Sequence, residues 1–166
     1  TALGKEIKAV AAGAALPMER ATLRLRRVEF DGARADLAKV AAVARAQQER
    51  ARTLKEMAQN SVFFFRDVEA YDEKAAKKNL TAEAAPLLQT VRERMAALDD
   101  WQATKLHELV QAVATESGAG LGKVAQPIRV AVSGGSVSPP IDVTLEILGR
   151  DTTLQRLDRA ITACVV

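Results

Sequence analysis

Apolar residues fall at helical rather than alternating spacing along most of the chain. Leu37, Val40, Ala41 and Ala44 form one stripe that Leu54 and Met57 resume, which predicts a long helix from an N-cap at Asp36 to about Gln59. Arg45 and Arg52, seven apart, share a face of it, and Arg50 lies elsewhere on its surface. Asn60-Ser61 interrupts the pattern before Val62-Phe63-Phe64-Phe65. Three consecutive phenylalanines cannot point one way on a helix, and they suit a core plug between helices better than a base-stacking platform. Tyr71 to Lys78 reads as a short helix with acids at its start and lysines at its end, matched to the helix dipole.

Thr81 and Pro86 mark a further helix reaching about Leu98. Asp99 and Gln102 stand at capping-box spacing for the next, with Trp101 as an anchor in its first turn and Leu106, Leu109, Val110 and Val113 as its buried stripe. Gly118 to Gly122 is expected to be a flexible connection. Two proline-opened segments follow, with Pro127 and then Pro139 or Pro140 each suited to a first helical turn, and Gly149 closes the second. Thr152-Thr153-Leu154-Gln155 is a capping box for a last helix buried along Leu154, Leu157 and Ile161. Residues 1–17 can form a helix without an assignable buried face, and Asp31-Gly32 marks a turn. The expected fold is all-α, in two helical subdomains, 1–95 and 96–166, divided softly near 95–100.

Composition agrees, since helix formers dominate and aromatic residues make up only 4%. The net charge is +3, unevenly placed. From Met18 to Lys55, ten Lys/Arg against five Asp/Glu give +5, leaving −2 for the remainder. A basic half facing a polyanion and an ordinary solvated helical surface both account for this.

Catalytic chemistry is sparse. His107 is the only histidine, so no site needing two can form, and within an amphipathic helix it reads as a surface residue. Cys164 is the only cysteine, which rules out an intramolecular disulfide and a cysteine zinc cluster and suits a reducing cytosol. Gly118-Ala119-Gly120-Leu121-Gly122-Lys123 has the wrong spacing for a phosphate loop. Nothing assembles a nucleophile, base and oxyanion donor, so no catalytic residue and no metal ligand is assigned. No apolar run is long enough for a membrane span. The chain begins at Thr1 without the apolar core of a signal peptide or an initiator methionine, which suggests a fragment or a processed chain.

One residue stands out. Arg129 sits inside the apolar run Pro127-Ile128-Arg129-Val130-Ala131-Val132, where an unpaired charge is too costly to bury. It either projects from a packed platform toward a polar ligand or pairs structurally with a carboxylate.

Four blocks carry a resemblance. They are Arg50-Ala51-Arg52-Thr53-Leu54-Lys55-Glu56; Phe63-Phe64-Phe65 with Tyr71-Asp72 and Lys74-Ala75-Ala76-Lys77-Lys78; Leu121-Gly122-Lys123-Val124-Ala125-Gln126-Pro127-Ile128-Arg129-Val130-Ala131-Val132-Ser133-Gly134; and Ser138-Pro139-Pro140-Ile141-Asp142 leading to Leu148-Gly149 and Arg156-Leu157. In order and spacing the chain from roughly residue 30 to 162 resembles the C-terminal, anticodon-binding region of bacterial glutamyl-tRNA synthetases.

The resemblance implies two helical subdomains forming a cage for the anticodon loop of tRNA(Glu). It implies that Arg129 contacts anticodon bases, that Ser138, Pro139, Ile141 and Asp142 reach them from the following loop and helix start, and that Arg50 reads the third base. Arg24, Arg27, Arg45 and Arg52 are weaker candidates for the phosphate backbone. The family's complete enzymes, ATP- and Mg2+-dependent glutamate–tRNA ligases, carry a separate catalytic domain with His-x-Gly-His and Lys-x-Ser-Lys-type motifs that this sequence lacks. The implied protein is therefore a cytoplasmic tRNA-binding module that makes no glutamyl-adenylate and holds no cofactor of its own. Its partners are tRNA(Glu) and the parent's catalytic domain, not DNA or a membrane. The alternative from a different class is a non-catalytic helical protein-interaction module without an RNA role.

Overall fold

A computed structural model describes residue 32 and residues 34–164. The chain divides into two compact units, residues 1–41 and 42–166. Residue 32 is helical, and residues 34–47 form the helix α1. Its expected stripe is unevenly used, because Val43 is buried while Leu37 and Val40 are exposed. The second unit carries α2 (Leu54–Phe65), α3 (Glu73–Asn79), α4 (Ala85–Ala96), α5 (Ala103–Glu116), α6 (Leu121–Ser133), α7 (Ile141–Leu148) and α8 (Arg150–Cys164). The described residues are all-α, as expected, and none of their helices is long and apolar enough to cross a membrane.

The single long helix from Asp36 to Gln59 is not formed. Helix α1 stops at Gln47, whose carbonyl accepts from the N–H groups of Arg50 and Ala51 at 2.9 and 3.0 Å. Thr53 then starts α2 by accepting from the Glu56 N–H at 3.1 Å, while the Glu56 carboxylate accepts from the Arg52 N–H at 2.9 Å. That Thr-x-x-Glu pairing is worth about 1 kcal/mol, enough to favour a restart where nothing apolar would reward continuation. Asn60-Ser61 does not break α2, because the Ser61 hydroxyl donates to the Met57 carbonyl one turn back at 2.6 Å. The phenylalanines divide as expected of a core plug: Phe64 is buried, Phe63 partly buried and Phe65 exposed.

Helix α3 is capped by Asp72, whose carboxylate accepts from the Ala75 N–H at 2.8 Å. Helix α4 lies against α8 and α5, α5 against α6 and α7, and α6 runs through the middle. Leu88, Val91, Met95, Leu106, Val110, Ile128, Val130, Leu145 and Leu157 are essentially inaccessible, each worth about 1.5–3 kcal/mol of apolar burial.

Three expected helix starts are displaced. Asp99 and Gln102 do not cap α5; the Ala103 N–H instead donates to the Glu146 carboxylate of α7 at 3.0 Å. Trp101 precedes that helix, though it is an anchor, donating its ring N–H to the Leu145 carbonyl at 2.9 Å. Thr152–Gln155 lies inside α8, because Gly149, at φ +80°, turns the chain so sharply that the helix begins at Arg150. Pro127 is interior to α6, which already starts at Leu121, and its ring belongs to the buried face. Burial there offsets the roughly 3 kcal/mol that an interior proline costs.

Behind α6, a second arginine organises the fold. Arg156 of α8 is 3% exposed. Its guanidinium donates to the carbonyls of Phe63 at 2.9 Å, Arg66 at 2.8 Å and Val132, with Asp67 at 3.6 Å. Those carbonyls lie at the C-terminal ends of α2 and α6, where backbone acceptors lack intrahelical partners. Burial pulls the Arg156 pKa below its usual value, and the Asp67 charge acts against that pull.

Candidate functional site

Arg129 leaves α6 between the buried Ile128 and Val130 and is itself only partly buried. Its Nε donates to the Ser138 hydroxyl at 3.0 Å. Ser138, 5% exposed, donates in turn to the Pro139 carbonyl at 2.9 Å, and Thr144 reaches the same carbonyl at 3.2 Å. The loop between α6 and α7 thus fixes one edge of the guanidinium. Among the described residues its terminal nitrogens have no hydrogen-bond partner, and no carboxylate forms an ion pair with it. Burial lowers the Arg129 pKa, and the nearby Arg50 charge lowers it further. Arginine stays charged nonetheless, so two like charges lie near each other, and neither forms an ion pair among the described residues.

Arg50, from the turn after α1, lines a cleft of about 300 Å³ with Gln47, Glu56, Asn60, Val137 and Ser138. Gln47 is buried and donates to the Asn60 carbonyl at 3.0 Å, tying the end of α1 to α2. A second cleft of about 300 Å³ lies between α5, α6 and α7, with His107, Gln126, Arg129, Pro140, Ile141 and Asp142 in its lining. The Gln126 side-chain oxygen is buried there without a hydrogen-bond partner, and His107 Nδ1 stands 3.3 Å from the Asp142 carboxylate. The hydrogen bond from Arg129 to Ser138 joins the two clefts.

The fold therefore gathers Arg50 and Ser138 in one cleft and Arg129, Ile141 and Asp142 in the other. Pro139 is buried behind them, and its neighbour Pro140 is exposed in the second cleft. Arg45 and Arg52 are exposed and line neither; Arg24 and Arg27 fall outside the described residues. Gln47, Glu56, Asn60 and Gln126 were not expected in the lining. Thr53-Leu54-Lys55-Glu56 did carry a signal, since its capping-box spacing ends α1 early and swings Arg50 onto a turn. No cluster of three potential metal ligands occurs among the described residues.

The two joined clefts thus present two arginines, neither in an ion pair among the described residues, on an all-helical surface. Residues 12–161 match the family model described as the anticodon binding domain, and the chain belongs to that family. It is 55% identical over 120 residues to a glutamate–tRNA ligase of Alkalilimnicola ehrlichii, covering 72% of this chain and 26% of that protein. Against a glutamate–tRNA ligase of Coxiella burnetii it is 53% identical over 115 residues, covering 69% and 24%. The crystal structure of a glutamate tRNA ligase from Elizabethkingia meningosepticum in complex with its amino acid superposes with a TM-score of 0.70 at 32% identity, over 75% of this chain and 25% of that one. The chain spans about a quarter of the length of these relatives.

Proposed function

We propose that this chain is the anticodon-reading part of a glutamate–tRNA ligase and that its two clefts receive unpaired bases of the tRNA(Glu) anticodon loop. The observation that carries the reading is Arg129, held at Nε by Ser138 with its terminal nitrogens free, beside Arg50 and without a carboxylate partner. Anticodon bases are unstacked and offer hydrogen-bonding edges. A guanidinium fixed along one side presents its remaining donors in the planar fork that such edges accept. Arg50, Ser138, Ile141 and Asp142 complete the lining, Pro139 stiffens the loop from behind, and Asp142 adds an acceptor for a base amino group. In this reading the helical elements between residues 42 and 95 and those after residue 96 form the two sides of the cage around the loop. Adenylate formation, with its ATP and Mg2+, belongs in this reading to a separate domain of the longer cytoplasmic ligase.

Filter binding to tRNA(Glu) transcripts with single anticodon substitutions tests it. Arg129→Ala and Arg50→Ala should each reduce affinity for the cognate anticodon by about tenfold to a hundredfold, the 1–3 kcal/mol of one bidentate base contact. Affinity for an altered anticodon should change little. Equal loss across all transcripts would assign the arginines to phosphate binding and overturn the base-reading role.

A further inference from the structure

The second cleft continues beyond Arg129. Gly122 and Gln126 line both it and a third cleft of about 400 Å³, between the end of α3 and the start of α6, into which Lys78 and Lys123 also face. Both lysines are exposed, and neither forms an ion pair among the described residues. Glu83 is the one carboxylate in the lining, and Asn79 and Thr81 add neutral polar groups. Lys123, Gln126 and Arg129 stand at i, i+3 and i+6 of α6, an inclined row crossing its surface from the lysine cleft to the arginine. Six residues of helix rise about 9 Å, the span of two to three stacked nucleotides at about 3.4 Å each.

We propose that Lys78 and Lys123 form a backbone-binding patch that takes the phosphates of the RNA strand flanking the base seated at Arg129. The proposal rests on the anticodon-reading role of the arginine clefts and extends it to how the arm is held. Division of labour between the sites follows from their chemistry. A planar guanidinium held along one edge by Ser138 has a fixed direction that suits a base edge, whereas ammonium groups on flexible stems bind phosphate as point charges without a fixed direction. Continuity of the third cleft with the second, through Gly122 and Gln126, is what directs the same strand across both. The patch lies on α3 and α6, later in the sequence than the arginine-rich stretch before residue 55 where charge counting would seek it.

The test is a salt titration of binding by the 166-residue chain to a transcript of the tRNA(Glu) anticodon arm and to the same arm with one anticodon base changed. Lys78→Gln with Lys123→Gln should weaken both RNAs by the same factor. It should also reduce the slope of log affinity against log salt by about 1.4, at roughly 0.7 per lost phosphate contact on a single strand. Lys105→Gln, at a lysine engaged by Glu108 on α5, should leave the slope as in the parent, and circular dichroism melts should be unchanged for all three proteins. An unaltered slope in the double variant, a loss confined to the cognate arm, or an equal drop for Lys105→Gln would overturn the patch. If the parent chain distinguishes the two arms while the double variant keeps its slope, only the lysine proposal falls. If the parent binds neither arm, the anticodon-reading role falls with it.

Discussion

At the scale of the residue, the two buried-edge arginines divide according to what their guanidinium nitrogens meet. Arg156 spends its donors on the carbonyls of Phe63, Arg66 and Val132 and is inaccessible. Arg129 spends only Nε, on Ser138. Arg156→Met should therefore lower unfolding free energy by at least about 3 kcal/mol, since hydrogen bonds to charged groups contribute about 1.5–3 kcal/mol each. Urea denaturation measures that loss, and filter binding on the folded protein should show its preference among anticodons unchanged. Arg129 was legible in the sequence because a charge interrupted an apolar run. Arg156 stood only as part of the fourth resemblance block and was given no role, although Thr153, Leu157 and Ala160 place it on the buried stripe of α8. Its acceptors lie about 90 residues away for two of the three bonds, a distance over which no local pattern operates.

At the scale of the element, the joint between α6 and the strand of chain before α3 depends on one glycine. Gly134 ends α6 at φ +80°, and its carbonyl accepts from the Asp72 N–H at 2.8 Å. A Cβ there would stand 2.9 Å from Val68 Cγ1. Gly134→Ala should cost about 1–3 kcal/mol from the left-handed backbone alone, read as a fall in thermal midpoint. Adding Val68→Ala relieves the contact but not the backbone strain, so the double variant should stay well short of the parent. Helix identities after Thr81 were legible from apolar spacing, and Pro86 marked the start of α4, but the starts of α5, α6 and α8 were misplaced. The capping strings at Asp99 and Thr152 are locally sound, but Glu146 from another helix caps α5 and the Gly149 turn begins α8 early. Tertiary partners outvoted local motifs at both places.

At the scale of the molecule, the proposed function separates binding from catalysis. The chain corresponds to about a quarter of the glutamate–tRNA ligases it resembles. By itself it should support no ATP–pyrophosphate exchange with glutamate, yet inhibit aminoacylation by a complete relative competitively with respect to tRNA(Glu). Steady-state kinetics at several tRNA concentrations check this; inhibition that more tRNA does not relieve would contradict it. The all-α class was legible from the scarcity of aromatic and β-branched runs. The convergence of Arg50 with Arg129 was implied by the resemblance but not by apolar spacing, because the turn that carries Arg50 lies where the stripe suggested an unbroken helix.

The Arg156 anchor has a bearing on how binding is divided energetically. It fastens the far ends of α2, which contributes Glu56 and Asn60, and of α6, which contributes Arg129. Walls secured from behind have little freedom left to surrender when a ligand arrives. In the proposed complex the loss of conformational entropy then falls mainly on the RNA loop, whose unpaired bases must be fixed in the clefts.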